Sequence, residues 1–197
     1  MFGKLVETFS QAVDGFKLTI NKMFKEETRQ MKGYLLKLEA FDKSGNLVYS
    51  HEGPNVVVDT ASNLLALLLK ESGQPGIQGI KYLALGQGAP GWNVMAPPSP
   101  TPDRPSLYRE FARVPLTYSQ FVNPSNGQPS ETPTNVVDYV FAVSEGQAVG
   151  PIVECGMFGG PDATSTLGTG IMVNYRTFPV LNKTEDMNFY LVFRIKT

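Results

Sequence analysis

His51 is the only histidine of the chain and Cys155 the only cysteine. Any Ser/His/Asp or Cys/His site would have to use one of them. His51 closes a strand-like run beside Glu52 and Gly53, and reads as an ordinary surface histidine. Cys155 lies within Ile152-Val153-Glu154-Cys155-Gly156-Met157-Phe158, where apolar surroundings raise a thiol's pKa and leave it inert. One His and one Cys give no zinc-ligand spacing, and no Asp-x-Asp-x-Asp loop is present for calcium, so neither a metal nor a cofactor is expected. Gly86-Gln87-Gly88-Ala89-Pro90-Gly91 has the glycines of a phosphate loop. It lacks the Lys-Ser/Thr pair, and Pro90 removes a donor, so it reads as a turn. Glu154 is the acidic residue to explain, because an unpartnered carboxylate in an apolar strand is costly. It either faces solvent or is buried in an ion pair; a lone general acid ranks third. The expected pair is Glu154 with Arg176 on a nearby strand.

The elements that must position these residues follow from periodicity. Phe2, Leu5, Val6, Phe9, Val13, Phe16, Ile20, Met23 and Phe24 recur at spacings of three and four, the signature of an amphipathic helix over residues 1–30. Polar residues 25–32 and Gly33 separate it from the rest, so 1–32 reads as an N-terminal helical arm and 33–197 as a body. The arm's stripe (Phe2, Leu5, Phe9, Val13, Phe16, Ile20, Phe24) either folds onto its own body or docks on a neighbouring subunit; aromatic anchors favour interfaces. A membrane-surface role is weaker, with six Lys/Arg against four Asp/Glu in residues 1–32.

From Gly33 the period becomes two. Tyr34, Leu36, Leu38 and Ala40 alternate with their neighbours, and Lys43-Ser44-Gly45-Asn46 turns the chain into Leu47-Val48-Tyr49, a hairpin. A leucine-rich helix is expected over 59–72, capped by Asp59 or Thr60 and packed on more than one side. A strand follows over 80–85. Six prolines make 89–106 a long extended loop. A short helix over 107–113, a strand over 114–122 and a second polar loop over 123–135 come next. Val137, Tyr139, Phe141 and Val143 share one parity. Strands over 152–158, 171–178 and 187–196 complete a mainly β chain. The expected fold is an antiparallel β-sandwich, jelly-roll-like, with one packed helix and the N-terminal arm.

The 197 residues carry a net charge of -1 and are 42% hydrophobic. That is enough for a core and too little positive charge for a nucleic-acid binder. No apolar run approaches the roughly 18 residues needed to span a bilayer. Glu7, Gln11 and Asp14 interrupt any signal-peptide stretch, so a cytosolic product is the plain reading.

The order of motifs over residues 55–197 resembles a pattern in tailed-phage virion structural proteins. Asn55-Val56-Val57-Val58, the leucine-rich helix and Ile80-Lys81-Tyr82-Leu83-Ala84-Leu85-Gly86-Gln87-Gly88 form its front. Ile152 to Phe158, a glycine-rich gap, Tyr175-Arg176-Thr177-Phe178-Pro179-Val180, Lys183-Thr184 and the terminal alternating strand form its back. The resemblance implies a non-enzymatic head-decoration, neck or tail/fibre-associated protein of the virion. It also implies a homo-oligomer, taken as a trimer, whose partners are capsid, portal/connector or tail proteins. Two rivals stand beside it. One is a receptor- or carbohydrate-binding module of a tail fibre, with Trp92, Tyr108, Tyr118 and loop 123–135 as its platform. The other is a hydrolase, which the single histidine disfavours.

Overall fold

The computed structural model describes residues 32–70 and 79–197. The predicted arm, with Phe2, Leu5, Phe9, Val13, Phe16, Ile20 and Phe24, lies outside the described residues, as does the end of the leucine-rich segment. The described unit is mainly β, with two antiparallel sheets and one helix.

Strands β1 (Lys32–Phe41) and β2 (Leu47–Gly53) form the expected hairpin. The Asp42 carboxylate accepts from the Ser44 and Asn46 N–H groups, and Gly45 supplies the positive φ of the turn. Leu36, Leu38 and Ala40 are fully buried while Lys37 and Glu39 pair on the other side, as period two requires. Then follow β3 (Val56–Val57), α1 (Ala61–Lys70), β4 (Ile80–Gly86), β5 (Glu110–Pro115), β6 (Tyr118–Val122), β7 (Pro129–Ser130), β8 (Val136–Val143), β9 (Gly150–Gly159), β10 (Ile171–Lys183) and β11 (Asn188–Lys196). One sheet runs β2-β1-β11-β8-β6-β7 and the other β3-β10-β9-β4-β5.

Three expectations need correction. No helix forms over 107–113: the chain bends at Tyr108 and Arg109, whose N–H groups bond a side chain on β9, and Glu110 to Arg113 already belong to β5. The strand expected over 114–122 is two strands in different sheets. Leu116 N–H still bonds Lys81 of β4, and Thr117 N–H bonds Val140 of β8, so the chain changes sheet just after Pro115. In α1, neither Asp59 nor Thr60 caps through its side chain. The first N–H groups bond the main-chain carbonyls of Val58, Asp59 and Thr60, and the Thr60 hydroxyl donates to Met172 O on β10. The helix fully buries Ala61 and Leu64 while Leu69 is exposed, so its apolar surface is packed mainly on one side.

The parity expected on β8 also blurs. Phe141 and Val143 are buried with Phe189, Leu191 and Phe193 of β11, but Val136, Asp138 and Val140 are buried on the opposite face. There Asp138 lies directly opposite Arg194 and takes two bonds from its guanidinium, at 2.7 and 2.9 Å. The same guanidinium reaches Gly127 O in the 123–135 loop, so that loop lies over this face. Removing one partner of a buried pair strands the other charge, so Asp138→Ala should cost about 3 kcal/mol. Urea unfolding of D138A, Arg194→Met and the double variant should show coupling; purely additive losses would mean that the pair does not matter.

Candidate functional site

Glu154 is fully buried at the centre of β9. Its carboxylate accepts four hydrogen bonds. One oxygen takes the N–H groups of Gly88 and Arg109, both at 3.0 Å. The other takes Tyr108 N–H at 3.2 Å and the Tyr175 hydroxyl of β10 at 2.8 Å. Gly88 begins the proline-rich loop and Tyr108 and Arg109 end it, so one side chain closes the loop at both ends. The Tyr175 pKa is raised by burial first and by the Glu154 charge second, which keeps its hydroxyl a donor.

The glycines of the Gly86-Gln87-Gly88 turn make room for this arrangement. A Cβ on Gly86 would sit 2.5 Å from a Glu154 oxygen. Gly88 has φ +71° and a Cβ there would meet Trp92 at 2.5 Å. The turn is thus built around a protein carboxylate.

The expected ion pair of Glu154 with Arg176 does not form. Across β9 and β10, Glu154 lies opposite Thr177, and Arg176 opposite Cys155. Neighbours on a strand point to opposite faces. Glu154 faces the proline-rich loop, whereas Arg176 turns towards β2. Arg176 donates to Pro54 O at 2.6 Å and lies 3.3 Å from His51 Nε2. Burial, then the Arg176 charge, holds the His51 pKa below its ordinary 6.5. Cys155 is fully buried, and burial pushes its thiol far above the ordinary range; the Arg176 charge opposes this shift and the Glu154 charge adds to it.

Of the proposed aromatic platform, Trp92 and Tyr108 come together, with ring centroids 4.8 Å apart and edge to face. Tyr118 does not join them; it lies on β6 in the other sheet. The Arg104 guanidinium lies 3.5 Å from the Tyr108 ring centroid and covers one of its faces. The loop itself is tied to the body by Asp59 N–H to Pro102 O, the Thr177 hydroxyl to Pro98 O, and Val180 N–H to Val94 O.

A second knot went unrecognised in the sequence. A bulge at Phe111 sets Glu110 and Arg113 on one side of β5, although residues three apart in a regular strand face opposite ways. They pair, Arg113 bonds Thr164 O and Thr169 O, and Glu110 accepts from Gly168 N–H. Together they fix the 160–170 turn. The sequence marks that turn only as a glycine-rich gap.

Among the described residues, no group of three or more His, Cys, Asp or Glu is placed to hold a metal ion. No protein-family model matches the chain, and no curated protein matches it.

Two outcomes follow from this geometry. Glu154→Gln turns an acceptor towards the Tyr108 N–H into a donor, and should cost about 3 kcal/mol; Tyr175→Phe should cost about 1.5. Urea unfolding measures both, and faster exchange of the Tyr108 and Arg109 amides in E154Q locates the damage. An unchanged midpoint would rule out the clamp. For His51, the unfolded chain takes a proton before the folded one as pH falls. Stability should therefore drop from pH 6.5 downward until the lower folded pKa is passed. His51→Gln should flatten this slope; parallel pH profiles for the two proteins would show that His51 plays no part.

Proposed function

We propose that this chain is a structural protein of a tailed-phage particle, a capsid decoration (cement) or neck/tail accessory that works by protein–protein assembly. One observation carries the reading: a long proline-rich loop closed at both ends by a buried carboxylate and tied along its length to a β body. A loop ordered in advance loses little entropy on meeting a partner. In the same reading the two sheets are the layers of a jelly-roll-like sandwich, the chain is not an enzyme, and it acts as a homo-oligomer. The arm of residues 1–32 is a second attachment, and two linked contacts raise avidity above either alone. The order of motifs over 55–197 supports the virion setting.

A receptor- or carbohydrate-binding role has one observation in its favour, the meeting of Trp92 with the half-exposed Tyr108. Arg104 already occupies one face of that tyrosine, the surface on which a sugar would stack. Glycan-array binding that is lost in Tyr108→Ala would favour this rival.

Particles made without the protein should lack a defined density and lose stability to heat or osmotic shock. Intact particles missing no density would sink the assembly reading. A protein shortened to start at Gly33 should keep the urea midpoint of the full chain but fail to co-sediment with particles. Aggregation of the shortened protein would instead place the stripe of residues 1–30 in the internal core.

A further inference from the structure

The four sheet edges among the described strands are not alike. β7 is two residues long and opens on Pro129. β3 is also two residues long, and follows Pro54 closely. β5 is bulged at Phe111, ends on Pro115 and is overlaid by the Arg113 knot. These are the ordinary ways in which a sheet edge is made unreceptive. β2 differs. It has seven residues and no proline, and among the described strands it pairs with β1 alone. Its single irregularity, a bulge at Val48, leaves Tyr49 to Gly53 in regular register.

The surface beside this edge is apolar. Leu47 is 53% exposed and Val48 48%. The Tyr49 hydroxyl donates to Pro179 O, and Val180 N–H donates to Val94 O. These bonds bring the tip of the proline-rich loop to the same flank, where Val94 is 41% exposed and Met95 66%. The Val180–Val94 bond therefore holds an apolar margin on the flank of an edge that no other described strand pairs.

We propose that this flank is a self-association surface, with β2 of one copy pairing antiparallel to β2 of a second copy. The strand suits itself as a partner. Glu52 is its one formally charged residue, and pairing about His51, the centre of the regular stretch Tyr49–Gly53, sets Glu52 opposite Ser50 and Tyr49 opposite Gly53. No like charges meet, which strand pairing requires. The contact is isologous, so each copy gives and receives the same groups. Main-chain bonds supply the pairing, and the Val94–Met95 margin adds area towards the roughly 1,200 Å² of a specific interface. The inference rests on the homo-oligomer of the proposed function and changes its symmetry: a two-fold contact builds dimers or even-numbered assemblies rather than a simple trimer.

Analytical ultracentrifugation of the full chain over a concentration series tests this. The wild type should form even-numbered species. Val48→Lys and Met95→Lys, both at exposed positions, should each weaken association by about tenfold or more while leaving the circular dichroism spectrum unchanged. Tyr118→Lys, at an exposed residue of β6, should have no effect. A wild type that stays monomeric or trimeric, or association that survives V48K/M95K together, overturns the interface. Particle co-sedimentation keeps the two readings apart. A monomeric wild type that still binds particles removes this interface and leaves the assembly role standing; a self-associating chain that never binds particles does the reverse.

Discussion

A carboxylate removed from water must find donors, and Glu154 finds four without a cation among them. Three are backbone N–H groups from the two ends of one loop. Satisfying the charge and closing the loop are thus the same event. β5 begins next to Arg109, so the clamp sits at the end of the β4–β5 ladder. The bend at Tyr108 and Arg109 is held by the same carboxylate. Gly86 and Gly88 are required because a side chain at either would occupy the space of the carboxylate or of Trp92.

The rest of the body is organised by irregularities in its strands. β10 is bulged at Val173 and again between Thr177 and Leu181. The second bulge accommodates Pro179, which has no N–H for a ladder, and frees its carbonyl for Tyr49. The bulge in β5 brings Glu110 and Arg113 to one side, and that pair freezes the 160–170 turn. Pro115 ends β5 where the chain leaves one sheet for the other. Each departure from a regular ladder delivers a group to a place that a straight strand could not reach.

These ties bear on the proposed role. The apolar side chains at the tip of the 89–109 loop stay exposed because the loop is fastened below them by Pro98, Pro102 and Val94 carbonyls. A fastened loop presents one surface, which is useful for a protein that acts by contact. Cys155, by contrast, is sealed in the second sheet, and His51 is held at a guanidinium; neither has the open, activated setting of a nucleophile or a base.

Much of the fold was legible in local pattern. The alternation of Leu36, Leu38 and Ala40, the turn at Asp42–Asn46, the leucine-rich helix and the terminal strand all follow from the period of side chains and from turn chemistry, which are properties of a few adjacent residues. Glu154 was legible as the carboxylate to explain, but neither expected setting, solvent or an ion pair, is the one it has. Which partners it found was decided only in the tertiary structure. The register of β9 against β10 set Arg176 opposite Cys155, and so on the wrong face for Glu154. Tyr175 and three backbone amides took its place. Backbone donors leave no mark in a sequence, because every residue except proline carries one. The bulges at Phe111 and Val173 are likewise unmarked, since they arise from how two distant strands pair. Local periodicity determines which residues form a strand; long-range register determines which side chains meet across it.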